Sequence, residues 1–98
     1  MKMLWIVYNT SCDSEIRDLL RDRQVRAFSQ IPKLYGQGDT GVVDGSWICP
    51  GHNSGIFTVL PDEEADALAQ EVKALATQSA GCGCVPIRAF LLPCEQVV

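Results

Sequence analysis

The chain opens with a continuous apolar run, Met3–Tyr8, that includes β-branched and aromatic residues. Such a short run is typical of a buried central strand. The polar residues Asn9–Ser11 follow it, and their side chains can cap the start of a helix. From Asp13 to about Arg23, apolar residues recur on one helical face with charged residues opposite. The pattern predicts a strand and then an amphipathic helix, whose apolar face carries Ile16, Leu19 and Leu20.

Four further segments continue the pattern. Val25–Leu34 shows a loose alternation that predicts a second strand, in which Pro32 favours a sheet edge or a bulge because it lacks a backbone donor. Gly55–Leu60 predicts a third strand. A second helix opens with Asp62 as its N-cap residue and runs to about Thr77. Val85–Leu92 predicts a last strand.

The predicted element order is β-α-β-β-α-β. This order is that of an α+β, ferredoxin-like fold, in which a four-stranded antiparallel sheet carries both helices on one face. We expect residues 1–98 to form one domain, since neither a linker nor a low-complexity tract divides them. The first and last strands are apolar at nearly every position, including Trp5, Val7, Phe90 and Leu92. One small core cannot bury all of these side chains, so we expect a second buried face, formed in a homo-oligomer.

Composition excludes some partners. The formal net charge is −4, whereas nucleic-acid binding requires a basic face. The longest apolar run is too short to span a membrane or to form the core of a signal peptide, so we expect a cytoplasmic protein. The single histidine has no nucleophile in a recognised motif beside it, and the sequence offers no spaced carboxylate pair. We therefore expect no enzyme activity.

The segment between the second and third strands is long and irregular. Residues 33–55 read KLYGQGDTGVVDGSWICPGHNSG, with no helical or strand period, although compact domains usually join their elements in about 4–6 residues. Longer connections tend to be functional or disordered. The glycines of GQGDTG, residues 36–41, could offer backbone N–H groups to an anion, or they could serve only as turn residues. We expect Trp47 to anchor this loop to the body of the protein.

The five cysteines are an odd number. We expect no disulfide scaffold, because five thiols cannot all pair within one chain and the cytoplasm keeps thiols reduced. Cys12 lies at a predicted helix start, where the dipole can lower a thiol pKa, and Cys94 is expected to be a free, packed thiol. Thiolate and imidazole suit zinc or copper(I), so the candidate metal ligands are Cys49, His52, Cys82 and Cys84. Simple packing, and a labile disulfide between Cys82 and Cys84, remain open.

Four blocks together resemble a known family. They read IVYN at 6–9, IPKLYGQG at 31–38, WICPGHNSGIF at 47–57 and AFLLPCEQV at 89–97. Their order and spacing resemble the PII signalling superfamily, and in particular its short proteins labelled "P-II family nitrogen regulator". The resemblance implies a homotrimer whose sheets face inward and a small ligand bound in the cleft between subunits. Gly36–Asn53 would then correspond to a shortened T-loop, the segment that contacts partner proteins such as membrane transporters.

The resemblance also implies a ligand and a set of binding residues. An adenine nucleotide would contact the backbone at Gly36, Gln37 and Gly38, with positive charge from Lys33 and Arg88. Arg88 could equally be an ordinary residue of the sheet or interface. The alternative is a metal-binding or thiol-redox trimer similar to the CutA branch of the same fold. In PII trimers the T-loop base and the loop before the last strand meet, which would bring the four candidate metal ligands together.

Overall fold

The fold is a four-stranded antiparallel sheet with two helices, in the predicted β-α-β-β-α-β order. The computed structural model describes residues 1–35, 37–38, 41–42, 52–78 and 87–98. The sheet order is β2-β5-β1-β6, and a short ribbon pairs β3 with β4. The elements are β1 (Lys2–Asn9), a one-turn 3-10 helix (Thr10–Cys12), α1 (Asp13–Asp22), β2 (Ser29–Leu34), β3 (Gln37–Gly38), β4 (Gly41–Val42), β5 (Asn53–Leu60), α2 (Asp62–Gln78) and β6 (Arg88–Pro93). The ferredoxin-like prediction is confirmed.

The core lies between one face of the sheet and the two helices. Alternate residues of β1 point into it, and Leu4, Ile6 and Tyr8 have no exposed surface. The core is completed by Ile56 of β5, Ile16 and Leu20 of α1, and Leu68 and Val72 of α2. Each fully buried aliphatic side chain of this kind contributes about 1.5–3 kcal/mol. Both helices therefore cover the same face, because their apolar stripes bury the same set of strand residues.

The opposite face of the sheet is apolar and open. Trp5 of β1 lies directly opposite Phe57 of β5, and their ring centroids are 4.9 Å apart. On β6, Phe90 is 53% exposed and Leu92 is 45% exposed. The prediction that these side chains lie outside the intrachain core is confirmed.

The second strand starts later than the alternation predicts. β2 begins at Ser29 rather than Val25, because the chain first has to end α1. The Val25 amide donates to the carbonyl of Leu20 at 2.9 Å, so it is unavailable to a sheet ladder. The expectation for Pro32 is confirmed: β2 is an edge strand, and its register with β5 shifts between Ile31 and Leu34.

We call residues 36–51, which lie between β2 and β5, the central segment. It contains regular structure that the sequence does not indicate. β3 and β4 pair antiparallel, with Gln37 opposite Val42 and Gly38 opposite Gly41. The expectation of a wholly irregular loop is therefore wrong, because a two-residue strand is too short to show a period. Trp47 lies outside the described residues.

Two element boundaries differ slightly from expectation. Asp62 is the first residue of α2 rather than its N-cap. The first helical hydrogen bond runs from the Ala65 amide to the carbonyl of Pro61, at 2.9 Å. The last strand begins at Arg88 and continues to Pro93. Residues 85–86, which were predicted to begin it, lie outside the described residues.

Candidate functional site

Three strand ends meet where the chain enters and leaves the central segment. Asn53, which begins β5, lies opposite Asn9 at the end of β1 and opposite Leu34 at the end of β2. Arg88, the first residue of β6, lies opposite Val7 and so belongs to the same end of the sheet. The topology thus places Lys33, Arg88 and His52 at one end of the sheet.

The predicted ligand residues are distributed across that end. Lys33 is exposed on β2, and Arg88 is exposed on β6. These are the two edge strands, so their backbones are roughly 14 Å apart at a strand spacing of about 4.8 Å. Gln37 and Gly38 form β3, and Gly36 lies outside the described residues. One protomer therefore does not place the two cations side by side.

His52 is held by the connection after β1. The Thr10 amide donates to the His52 carbonyl at 2.7 Å, and the His52 amide donates to Thr10 Oγ1 at 3.1 Å. The His52 ring meets the ring of Tyr35 edge-on, with centroids 6.4 Å apart. Thr10 is itself positioned by a cap, because Asn9 Oδ1 accepts a hydrogen bond from the Ser11 amide at 3.0 Å. The predicted capping role of this polar run is confirmed for the one-turn 3-10 helix that precedes α1.

Only one of the four predicted metal ligands lies among the described residues. Cys49, Cys82 and Cys84 lie outside the described residues, whereas His52 lies inside them. Across the part of the chain that the structure describes, no three histidine, cysteine, aspartate or glutamate side chains are grouped to hold a metal ion. The metal site therefore stays a prediction.

Cys12 differs from its prediction. Its side chain has no exposed surface, and its sulfur is in a disulfide bond. The expectation that the thiols are reduced is therefore wrong for this residue, and a lowered thiol pKa has no meaning there. Cys94 is a free, partly buried thiol, as expected.

A polar cluster joins β1, α1 and β2 just below this end of the sheet. The hydroxyl of the buried Tyr8 donates to Asp13 Oδ1 at 2.5 Å. Gln30 Nε2 donates to the same Asp13 oxygen at 2.8 Å and lies 3.2 Å from the Tyr8 hydroxyl. Arg17 Nε donates to Asp13 Oδ2 at 2.9 Å, and its guanidinium also contacts Gln30 Oε1. Burial, together with the hydrogen bond to Asp13, raises the pKa of Tyr8 well above its ordinary value.

Sequence reasoning missed this cluster. In the sequence pattern, Tyr8 is one more apolar residue of the first strand, and Gln30 is a polar position in the alternation of the second strand. Their contact joins residues 22 positions apart, on two strands that are not neighbours in the sheet, and one sequence carries no signal for it. Only the polar tip of a tyrosine in a buried strand hints that a partner is needed.

The two strands that flank the central segment are also tied to each other. Ser54 Oγ donates to the carbonyl of Pro32 at 2.9 Å, across the register shift in β2. Among the described residues, Asn53 Oδ1 is a buried side-chain oxygen without a hydrogen-bond partner. Leaving a buried acceptor unpaired costs about 1–3 kcal/mol. The hydrogen bond of Ser54 thus ties the start of β5 to β2, while the side-chain oxygen of Asn53 has no partner among the described residues.

No helix within the described ranges is long and apolar enough to cross a membrane.

Comparison with known proteins places the chain among PII relatives. The profile of the family described as nitrogen regulatory protein P-II matches residues 1–98. No curated protein matches the sequence.

Solved structures agree on the fold. CPII of Thiomonas intermedia K12, bound to ADP and bicarbonate, is 19% identical, with 92% of this chain and 81% of that chain covered and a TM-score of 0.70. A second CPII structure, bound to ADP, AMP and bicarbonate, is 18% identical, with 93% and 88% covered and a TM-score of 0.69. A Thermus thermophilus protein that carries the name PII-like signaling protein is 17% identical, with 92% and 81% covered and a TM-score of 0.65.

Proposed function

We propose that this chain, which belongs to the nitrogen regulatory protein P-II family, is a homotrimeric signal protein that senses a small ligand between its subunits. PII-family proteins are regulatory rather than catalytic, and we assign this protein no enzyme activity. The observation that carries the proposal is the open sheet face. An apolar surface that includes half-exposed Phe90 and Leu92 is what a trimer with inward-facing sheets would bury.

The separation of the two cations supports a site between subunits. Lys33 and Arg88 occupy opposite edge strands of one sheet. In a closed ring of subunits, the β2 edge of one protomer can approach the β6 edge of the next. A ligand phosphate could then contact Lys33 of one subunit and Arg88 of its neighbour, together with backbone N–H groups at Gly36, Gln37 and Gly38.

An adenine nucleotide is the ligand class that we propose. The CPII structures are described as bound to ADP or to ADP and AMP, each together with bicarbonate. That ligand is transferred to this chain as a hypothesis, since the identity to CPII is only 19%. We propose that ligand binding favours one arrangement of residues 36–53 and so changes contact with a partner protein. A transporter is one such partner, in keeping with the family resemblance.

Titration of the purified protein with ADP, AMP and ATP tests this proposal. We expect one nucleotide per subunit by native mass spectrometry. In calorimetry, Lys33→Ala and Arg88→Ala should each weaken binding about tenfold or more, because each removes a charge-assisted hydrogen bond to phosphate. Lys73→Ala is the matched control: it removes an exposed cation from α2 and should leave affinity unchanged. Equal effects of all three variants would point to general electrostatics, and a protein that binds no nucleotide would reject this ligand class.

The thiol and imidazole set defines the second candidate, a metal-binding or thiol-redox trimer of CutA type. The residue that favours it is His52, since Thr10 holds its backbone on both sides at the end of the sheet. Adding zinc or copper(I) to the same anaerobic protein tests this alternative. About one metal per subunit, lost in a Cys82→Ser, Cys84→Ser double variant, would favour it over the nucleotide sensor. Binding of metal that survives the double variant would exclude those cysteines as ligands.

A further inference from the structure

One short segment of the chain contacts both flanks of the central segment. We call Asn9–Asp13 the junction, because it joins β1 to α1. β2 carries the chain toward residue 36, and His52 with β5 carries it back. We call β2 the incoming flank, and His52 together with β5 the outgoing flank. The junction makes side-chain or backbone hydrogen bonds to each of them.

The contact to the incoming flank is made by Asp13. Its Oδ1 atom accepts from Tyr8 Oη at 2.5 Å and from Gln30 Nε2 at 2.8 Å. Gln30 lies on β2, an edge strand that pairs only with β5 in the sheet as described. The strand has a register shift between Ile31 and Leu34, so the ladder is interrupted between Gln30 and the strand end. Gln30 itself pairs with Ile56, and its side chain adds a second contact to the strand just before the irregularity.

The contact to the outgoing flank is made by Thr10, through its two hydrogen bonds to His52. Thr10 and Asp13 are themselves linked, because the Asp13 amide donates to the carbonyl of Thr10 within the one-turn helix. The two flanks are thus held by opposite ends of one compact turn. A shift of Asp13 would therefore disturb the hydrogen bonds to both flanks.

Tyr8 lies on β1, outside both flanks and outside the junction. Its ring is buried in the core, so its hydroxyl has a fixed position from which to hold the Asp13 carboxylate. Hydrogen bonds to an ionised acceptor in a partly buried site are among the stronger ones in proteins.

We propose that Tyr8 is a positioning residue for the central segment: its hydroxyl fixes Asp13, and Asp13 in turn fixes Gln30 on the incoming flank and Thr10 on the outgoing flank. The geometry presets the spacing of the two flanks before a ligand arrives, which lowers the ordering cost of binding. This inference rests on the proposed function only where it concerns ligand affinity.

The test compares two substitutions that each remove one hydroxyl. Tyr8→Phe keeps the ring and deletes the hydrogen bond to Asp13. Thr58→Val is the matched control: Thr58 is buried on β5, and its hydroxyl donates to the carbonyl of Ala27 at 2.7 Å, toward the opposite end of the strand. Hydrogen exchange is measured by mass spectrometry on peptides covering residues 29–35 and 52–56. Peptides from α2 report global stability.

We expect Tyr8→Phe to accelerate exchange at both flanks by about five- to tenfold relative to α2, as befits the loss of one strong hydrogen bond. Thr58→Val should change the flanks no more than it changes α2. Gln30→Met provides a second variant with the ring and hydroxyl of Tyr8 intact, and it should accelerate the incoming flank. Flank exchange that follows α2 in both Tyr8→Phe and Gln30→Met would overturn the proposal.

ADP binding separates this inference from the proposed function. If the wild type binds ADP, Tyr8→Phe should weaken its affinity about three- to tenfold while Thr58→Val does not. If the wild type binds no ADP, the proposed ligand is wrong, and the exchange comparison still decides the role of Tyr8. Unchanged exchange together with normal ADP binding would reject the positioning role and leave the proposed function standing.

Discussion

At the residue scale, Gln24 shows how the end of α1 is made. Its φ is 59°, in the left-handed region. Its amide donates to the Arg21 carbonyl, and the next amide, that of Val25, donates to the Leu20 carbonyl, each at 2.9 Å. This pair of bonds is the Schellman arrangement, which usually has glycine at the left-handed position. Adopting that conformation costs a residue with a Cβ atom about 1–2 kcal/mol.

Gln24→Gly should therefore stabilise the protein. We expect the free energy of unfolding to rise by about 0.5–1 kcal/mol, since the relief of strain exceeds the added flexibility of the unfolded chain. Urea denaturation measures the change. The same substitution at the helical residue Gln70 should lower stability by about 1 kcal/mol. A loss at both positions would show that Gln24 is not left-handed in solution.

At the element scale, an ion pair connects the end of α1 to α2. Arg23 Nη2 lies 2.6 Å from Glu71 Oε1, and the side chains are 43% and 40% exposed. The hydrogen bond from Arg23 lowers the pKa of the Glu71 carboxyl below its ordinary value. The pair thus supplements the apolar contact between the helices, which involves partly buried side chains such as Leu19 and Leu75.

This pair predicts a small pH dependence of stability. A carboxyl whose pKa is lower in the folded state stabilises the protein above its unfolded pKa, and the contribution is lost as pH falls through the folded pKa. The melting temperature of Glu71→Gln should therefore fall less steeply than that of the wild type between about pH 5 and pH 3. The difference should be at most a few degrees, because exposed ion pairs contribute little.

Circular dichroism melts across that pH range provide the measurement. Glu63→Gln, which removes an exposed carboxylate from the first turn of α2, is the control for the change in net charge. If Glu71→Gln and Glu63→Gln reduce the fall in melting temperature at acid pH equally, the effect comes from net charge and not from the pair with Arg23.

The elements also show where periodicity is a sufficient guide. The pattern places β1 and β5 within two residues of their ends, because both are long, apolar and paired on two sides. It starts β2 four residues too early, since the apolar residues Val25 and Phe28 continue the alternation. These two side chains pack against the core from a connection, not from a strand.

At the scale of the whole molecule, the open sheet face is the feature that needs a partner. Its apolar side chains come from β1, β5 and β6: Met3, Trp5, Val7, Phe57, Val59, Phe90 and Leu92. A chain of this size has a limited core of its own. Burying this face against copies of itself would add apolar contact in the same way that the helices do on the other face.

A Phe90→Lys, Leu92→Lys double variant should therefore dissociate the oligomer. We expect light scattering after size exclusion to show the mass of three 10.7 kDa chains for the wild type and of one for the variant. Val97→Lys changes an exposed apolar residue outside the sheet and should leave the mass unchanged. A double variant that remains trimeric would place the interface elsewhere, and a monomeric wild type would remove the basis for a site between subunits.

The sequence by itself determined the fold, the existence of two apolar faces and the family. These follow from periodicity and from blocks of local sequence, which a single chain displays directly. Pro32 even indicated an edge strand and its irregularity, because the missing backbone donor is a property of the residue alone.

Only the tertiary structure decided which polar groups meet. The contacts of Tyr8 with Asp13 and Gln30, and of Thr10 with His52, join residues of different elements, and their partners follow from strand register and helix placement. The disulfide of Cys12 was likewise not foreseen, since an odd number of cysteines does not show which one is bonded. Local pattern specifies which residues must be buried, whereas the pairing of polar groups depends on the distances that packing creates.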